Sequence, residues 1–218
     1  MRSRRGTVLI LLGVLLIVGA AVLTGYNLWT DHRGEAQSGE AIQALSGLIP
    51  DVKDALAAKE EADEAQTEAE ANEVPPWVTD PDRELPTAEI DGRKYVGTLT
   101  IPAVELELPV AANWDEDTLK VSVCRYAGTP YKGNLVICGH NYRSHFGPLA
   151  RLPVGSEVIF TDMEGYAFRY IAKSVEVLQP TAVQEMEESA YPLSLFTCTL
   201  GGKTRLTVRC VSAEAPAV

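Results

Sequence analysis

Basic residues are scarce in this sequence: 19 lysines and arginines stand against 30 aspartates and glutamates, and the formal net charge is -11. Binding to nucleic acid phosphates usually requires a basic face. The charge balance therefore argues against nucleic acid as a partner. The acidic surplus is concentrated in residues 31–74, which hold 12 acidic and three basic residues. The rest of the chain is nearly neutral.

Charged side chains are also absent from residues 7–29. A helix of this length, at about 1.5 Å per residue, crosses a hydrocarbon layer about 30 Å thick, so a transmembrane anchor is predicted. A cleaved signal peptide is the alternative, with small residues at 19–21, but its apolar core is usually about 7 to 15 residues long. The positive-inside rule places Arg2, Arg4 and Arg5, in a basic tail over residues 1–6, in the cytoplasm and the rest of the chain outside.

Apolar residues are few in the second half of the segment 38–72, which is rich in alanine and glutamate and is broken at Pro50. Helical spacing without a face to bury favours a solvated stalk, and a helix that binds a partner is the alternative. Prolines at 75, 76, 81 and 86 then indicate an extended linker. We assign residues 30–86 to this stalk and linker.

The region from residue 95 onwards lacks long helical periodicity and consists of short β-type runs separated by glycine and proline. Strands are predicted over residues 95–101, 104–110, 119–124, 134–138, 157–161, 167–178 in one or two pieces, 193–198 and 204–211. About eight such strands with short helical turns predict a mainly β domain, closed or nearly closed into a barrel, over residues 87–218.

Cysteine is limited to four residues, Cys124, Cys138, Cys198 and Cys210. Outside the membrane, an even count is ordinarily interpreted as two disulfides. No pair of cysteines has the spacing of a zinc motif, although Cys138 stands two residues before a histidine. We therefore predict no metal site.

The sequence around Cys198 distinguishes it from the other cysteines. Gly201-Gly202 follows it and favours a two-residue hairpin turn. In that register Cys198 is opposite Arg205, and their Cβ atoms are about 5 Å apart. Arg209 pairs with Ser194 on the same face but lies about 13 Å further along the strand. An arginine beside a cysteine favours the thiolate and donates hydrogen bonds to an oxyanion, whereas an ordinary surface pair is the alternative.

A nucleophilic thiol also needs a proton donor and acceptor, and the chain has three histidines. His32 is at the membrane exit and is an unsuitable catalyst. His145 lies in a polar turn and is expected to be solvated. His140 ends a predicted strand at the barrel rim, where functional residues concentrate. His140 is therefore the candidate acid and base, with a structural histidine as the alternative.

These pieces together resemble the sortase family, the cysteine transpeptidases of the Gram-positive cell surface. The matching segments are Asn-Leu-Val-Ile-Cys-Gly-His-Asn at 134–141, Leu-Phe-Thr-Cys at 195–198, Arg-Leu-Thr-Val at 205–208 and Val-Gly-Thr-Leu-Thr-Ile-Pro at 96–102. Ser194 departs mildly from the threonine that the family often has there. The run 140–147 is most similar to class B and its relatives, while the short stretch before Cys198 leaves the subclass open.

The resemblance implies an eight-stranded sortase barrel in which Cys198 is the nucleophile, His140 the acid and base, and Arg205 the residue that stabilises substrate and oxyanion. We also expect Asn141 and Thr197 to contact substrate. The implied donors are surface proteins or pilins with a Leu-Pro-X-Thr-Gly type signal, and the acceptor is an amine of a peptidoglycan precursor or of a pilin. No cofactor is implied, and modulation by calcium is left open.

Two other functions remain as alternatives. An L,D-transpeptidase is also an extracytoplasmic cysteine enzyme, but its motif places glycine directly before the cysteine and histidine shortly upstream. Here Thr197 precedes Cys198, and His140 is distant. A membrane-tethered binding scaffold without activity is the second alternative. It predicts an inert thiol at Cys198.

Overall fold

The computed structural model describes residues 4–55, 58 and 75–213. Helices are α1 (Arg4–Ser46), α2 (Pro76–Thr79), α3 (Glu116–Leu119) and α4 (Val183–Glu187), with 3-10 turns at Pro102–Val104 and Gly147–Arg151. Strands are β1 (Lys53–Asp54), β2 (Ala88–Ile90), β3 (Arg93–Ile101), β4 (Leu106–Ala111), β5 (Val123–Ala127), β6 (Leu135–Gly139), β7 (Glu157–Asp162), β8 (Tyr166–Leu178), β9 (Leu193–Cys198) and β10 (Arg205–Ser212).

Eight strands close into a barrel in the order β3, β4, β5, β6, β9, β10, β8 and β7. The barrel closes because β7 pairs with β8 on one side and with β3 on the other. The pairs β4–β5 and β6–β9 are parallel, and the other neighbours are antiparallel. The predicted eight-stranded, mainly β architecture is therefore confirmed. The short strands β1 and β2 extend the sheet beside β8 and β3.

The barrel interior is filled by alternate side chains of these strands, as the period of two requires. The buried residues include Leu99, Ile101, Leu108, Val110, Val123, Leu135, Ile137, Val158, Phe160, Leu193, Leu195 and Val208. Residues of the opposite parity face outwards. On β6 and β9, those outward positions carry the chemistry described below.

Two predicted strands begin later than expected, and each has a local reason. The strand expected from residue 104 begins at Leu106, because Pro102 starts a 3-10 turn that ends in a left-handed Glu105 with φ of 53°. The strand expected from residue 119 begins at Val123. The reason is that helix α3 occupies Glu116–Leu119. Asp115 caps this helix by accepting hydrogen bonds from the backbone N–H groups of Asp117 and Thr118.

Helix α1 is one continuous element of 43 residues. The part from Val8 onwards is long and apolar enough to cross a membrane by length and composition. Beyond residue 29, one face of the helix packs against the barrel. That face repeats every three or four residues and consists of Asp31, Gly34, Ser38, Ala41 and Leu45.

The packing of α1 covers a second apolar cluster on the outside of the barrel. Ala41 and Leu45 are buried there in one cluster with Tyr95, Cys124 and Cys138. The first part of the expected stalk is thus docked on the barrel rather than solvated. Most of its second part, residues 59–74, lies outside the described residues.

The proline-rich segment after residue 75 is also docked. Trp77 is buried and stacks on Tyr131 with ring centroids 5.9 Å apart, and Leu85 joins the barrel core. Arg83 forms a bidentate ion pair with Glu164, in which Nη2 donates to Oε1 at 2.8 Å and Nη1 donates to Oε2 at 3.0 Å. The expected extended linker is therefore held against the barrel, because it contains large apolar side chains that the wall can bury.

Candidate active site

Cys198 and Arg205 are direct partners across the β9–β10 hairpin. The same register pairs Arg209 with Ser194, so the register predicted from the two glycines is confirmed. Residues opposite each other in antiparallel strands project from one face, with Cβ atoms about 5 Å apart. The arginine is thus held beside the thiol by backbone pairing.

The turn of this hairpin differs in detail from the expected two-residue loop. The N–H of Gly202 donates to the carbonyl of Thr199 at 2.8 Å, which centres a β-turn on Leu200 and Gly201. Both glycines have positive φ, 84° and 72°. A left-handed backbone at two consecutive positions explains why glycine is required there.

His140 follows the end of β6 and lies beside the end of β9. These strands run parallel and are paired as far as Gly139 with Thr197, so His140 and Cys198 are each one residue beyond the last pair. Together with Arg205, they line one cleft of about 290 Å³. Three residues from three separate segments are brought together by sheet register.

Apolar side chains form most of the remaining cleft wall. Phe196 and Tyr126 meet edge to face with ring centroids 5.1 Å apart, and Leu119, Val183 and Met186 complete this wall. A wall of this kind accommodates aliphatic substrate side chains beside the polar group of His140, Cys198 and Arg205.

Cys198 is the most accessible of the four cysteines. It is half-buried, whereas Cys124, Cys138 and Cys210 are buried. Burial raises the pKa of Cys124 and of Cys210 to about 12, and it raises the pKa of Cys138 as well. These three therefore remain protonated, weakly nucleophilic thiols. All four cysteines are free, so the alternative of two disulfides is not observed.

The electrostatic surroundings of His140 favour its neutral form. Burial lowers the pKa of the imidazole, and the Lys120 ammonium lowers it further, while Glu116 opposes them. A neutral imidazole is able to accept a proton from a neighbouring thiol at neutral pH. The ring also packs on Tyr142 at a centroid distance of 4.8 Å.

Arg205 and Arg209 lie on the same strand but have different surroundings. Arg205 is half-buried, and its Nη1 donates to the carbonyls of Gly202 and Thr204 at 3.1 and 3.3 Å. These contacts fix the guanidinium at the turn beside the cleft. Arg205 thus retains donors for a ligand, because a guanidinium has five N–H groups.

Arg209 is buried and fully engaged. Its Nε donates to Glu176 at 2.6 Å, its Nη1 to the Ser194 hydroxyl at 2.8 Å and its Nη2 to the Glu185 carbonyl at 2.9 Å. The residue is 3% exposed. These contacts tie β10 to β8, β9 and α4, which is a structural role.

The two residues expected to contact substrate are separated by the structure. Thr197 is buried, with its side chain on the opposite face of β9 from Cys198, and its Oγ1 has no hydrogen-bond partner among the described residues. Asn141 is exposed and lines a different cavity of about 960 Å³, between α1 and the barrel. Contact of either side chain with substrate stays a prediction.

His145 was expected to be solvated, and this expectation is wrong. The side chain is 0% exposed, and neither ring nitrogen has a hydrogen-bond partner among the described residues. It packs between Tyr142 and the Gly34 segment of α1. Its burial was not predicted, because the surrounding sequence is polar and α1 was expected to lie away from the barrel. His32, by contrast, is exposed.

Burial of His145 makes the stability of the protein sensitive to acid. Burial, and secondarily His140, lowers the pKa of His145 to about 4. The unfolded chain binds the proton near pH 6.5, so stability is full above that pH and falls between pH 6.5 and 4. The expected loss in the free energy of unfolding is about 3 kcal/mol. Urea unfolding of wild type and His145→Leu at pH 7 and pH 4.5 measures it, and an equal acid loss in both would contradict it.

Known proteins with a similar sequence are sortases. A family model described as the sortase domain matches residues 99–213, more than half of the chain. Sortase A of Bacillus anthracis is 25% identical over 196 residues, covering 86% of this chain and 85% of that protein.

Solved structures share the fold. Sortase C from Clostridium perfringens SM101 has a TM-score of 0.54 at 19% identity, covering 81% of this chain and 99% of that one. Sortase C1 from Streptococcus agalactiae has a TM-score of 0.52 at 20% identity, covering 74% and 89%. With the closed barrel and the match of the family model, the chain belongs to the sortase family, whose members are cysteine transpeptidases.

Proposed function

We propose that this protein is a membrane-anchored sortase that cleaves a Leu-Pro-X-Thr-Gly type sorting signal through a thioester on Cys198. The acyl group then passes to an amine of a peptidoglycan precursor or of a pilin. The observation that carries the proposal is the convergence of Cys198, His140 and Arg205 on one cleft through the register of β6, β9 and β10.

In the first step, neutral His140 takes the proton of the Cys198 thiol. The thiolate attacks the carbonyl carbon of the threonine–glycine bond and forms a carbon–sulfur bond. Arg205 donates hydrogen bonds to the resulting oxyanion. Collapse of this intermediate breaks the carbon–nitrogen bond, and protonated His140 gives its proton to the leaving amine. The lowered pKa of His140 supports this order of proton transfers, because the imidazole begins neutral.

In the second step, an acceptor amine replaces the fragment that has left. His140 removes a proton from this amine as it attacks the thioester carbon, and Arg205 again holds the oxyanion. Collapse breaks the carbon–sulfur bond, and the thiol of Cys198 is restored. Division of the transfer into two steps through a thioester lowers both barriers relative to direct aminolysis.

The apolar wall of the cleft supports the assignment of the substrate class. A signal of this type places leucine and proline before its scissile bond, and both side chains are apolar. Tyr126, Phe196, Val183 and Met186 offer them a surface within the same cleft as Cys198. Burial of apolar substrate surface there provides binding energy next to the reacting bond.

The N-terminal helix supports a location at the cell surface. Residues 7–29 carry no charge, and the basic tail before them favours a cytoplasmic N-terminus. The barrel is then outside the cell, where sorting signals and peptidoglycan precursors are found. The membrane lipid is the partner of this helix.

Trapping of the thioester tests the proposal directly. Purified full chain is incubated with a sorting-signal peptide without an acceptor amine, quenched in acid and digested for mass spectrometry. We expect the acyl fragment on the peptide that contains Cys198, and we expect added triglycine to remove it and yield a peptide-triglycine product. The absence of any adduct with a library of sorting peptides would favour the scaffold alternative.

A further inference from the structure

The loop that follows His140 is attached to the helix that emerges from the predicted membrane span. The hydroxyl of Ser144 donates to the Asp31 carboxylate at 2.9 Å and lies 3.4 Å from the Asp31 carbonyl oxygen. The backbone N–H of Ser144 also reaches that carboxylate, at 3.4 Å. Three contacts therefore join α1 to the loop, although the two residues are 113 positions apart in sequence.

Gly34 brings the helix unusually close to the barrel. A Cβ atom at this position would lie 2.9 Å from the carbonyl oxygen of Lys120 and 3.7 Å from the ring of His145. Real Cβ atoms essentially never approach backbone oxygen this closely. Gly39, on the same helix, has no atom within 4 Å of its Cβ position. The contact at Gly34 is therefore specific, and Gly39 provides a matched control.

A stack of three rings connects this contact to the catalytic site. The ring of His145 is 5.6 Å from that of Tyr142, and Tyr142 is 4.8 Å from His140, each pair being tilted by 32°. The backbone reinforces the stack, because the N–H of Phe146 donates to the carbonyl of His140 at 3.0 Å. A displacement of the helix at Gly34 is thus transmitted through packed side chains to His140.

We propose that the segment Asp31–Gly34 of α1 positions His140 for catalysis, acting through Ser144 and through the His145–Tyr142 ring stack. Gly34 is a positioning residue in this arrangement, and it contacts neither substrate nor Cys198. The inference rests on the proposed function of His140. It makes the membrane-anchor helix part of the catalytic apparatus as well as a tether.

The full chain in detergent micelles provides the test, with Gly34→Leu compared to Gly39→Leu in transfer of a fluorescent sorting peptide to triglycine. We expect Gly34→Leu to lower kcat by about 100-fold, because a displacement of about 1 Å in a catalytic group has an effect of this size. KM should change less than kcat, since Phe196, Val183 and Met186 of the apolar cleft wall lie on β9 and α4 rather than beside Lys120. Gly39→Leu should behave as wild type.

Ser144 supplies an independent pair of variants. Ser144→Ala removes the hydroxyl contacts with Asp31 and should lower kcat about fivefold, as the loss of one hydrogen bond predicts. Ser144→Thr retains the hydroxyl and should restore kcat. Failure of threonine to rescue, or equal kcat for both variants and wild type, would overturn the inference. If Gly34→Leu does not fold, this pair decides alone.

His140→Ala, measured in parallel, separates this inference from the proposed function. Full transfer activity in His140→Ala would mean that the proposed mechanism itself is wrong. Loss of transfer in His140→Ala together with equal kcat in Gly34→Leu and Gly39→Leu would overturn the positioning inference alone. Iodoacetamide labelling of Cys124, which is buried in the same outer cluster as Ala41 and Leu45 of α1, checks that the helix stays docked in each folded variant.

Discussion

Replacement of Cys198 by alanine is expected to lower the rate of sorting-peptide transfer by about 10⁴-fold or more, to the limit of detection. The reason is chemical, since without the sulfur no thioester forms and the remaining groups can only assist direct attack by the amine. Folding should be preserved, because Cys198 is half-buried at a strand end and makes no disulfide. The measurement is the rate of fluorescent peptide transfer to triglycine by the full chain.

Cys138 is the matched control for this experiment. It lines the same cleft and lies two residues before His140, but it is buried with a raised pKa. Cys138→Ala should therefore retain transfer within a fewfold of wild type, and iodoacetamide should label Cys198 first in the native protein. Activity retained in Cys198→Ala and lost in Cys138→Ala would transfer the role of nucleophile to Cys138.

Arg205→Ala and Arg209→Ala are expected to fail in different ways. Arg205→Ala should lower transfer by about 10²- to 10³-fold, the usual effect of removing an oxyanion donor, with little change in stability. Arg209→Ala should lower the free energy of unfolding by about 3 kcal/mol, because it leaves the Ser194 hydroxyl and the Glu185 carbonyl without their donor.

Urea unfolding and peptide transfer, measured on both arginine variants, distinguish these effects. Below its unfolding midpoint, Arg209→Ala should keep activity per folded molecule within about tenfold of wild type. Arg205→Lys provides a further comparison, because lysine keeps the charge but not the planar donor pair. The opposite pattern, with Arg205→Ala unstable and Arg209→Ala folded but inactive, would exchange the two roles.

The pairing of Cys198 with Arg205 could be derived from the sequence because it depends on local geometry. Two glycines between apolar strands define a tight hairpin, and the register follows by counting outward from them. The position of His140 in the same cleft as this pair is different. It requires the parallel pairing of β6 with β9, which are separated by β7, β8 and α4, and no local pattern specifies that pairing. The family resemblance supplied it instead.

The docking of α1 on the barrel escaped prediction for a physical reason. Its contact face is made of Asp31, Gly34, Ser38, Ala41 and Leu45, and only the last is a large apolar residue. Close approach of a helix depends on small side chains, which contribute little to an amphipathic pattern. The burial of His145 was not predicted for the same reason, since it depends on the helix that covers this side chain.

Strands β1 and β2 were missed because they have only two and three residues. Each derives its regular structure from the long strand beside it rather than from its own sequence. Trp77 shows a related effect in the segment after residue 75. Its prolines indicated an extended linker, whereas a single aromatic side chain and an open wall of the barrel are sufficient to fix the chain.

The unbroken course of α1 has a consequence for how substrates reach this enzyme. The docking face begins at Asp31, two residues after the uncharged run, so the first barrel contacts lie within about 10 Å of its end at 1.5 Å per residue. With the helix inserted as proposed, the cleft diffuses together with the membrane. It meets only those substrates that lie in a thin layer beside the bilayer surface. A donor that is itself anchored in lipid shares this layer. Encounter then depends on the number of molecules per unit of membrane area, and a dilute soluble peptide is a poor competitor.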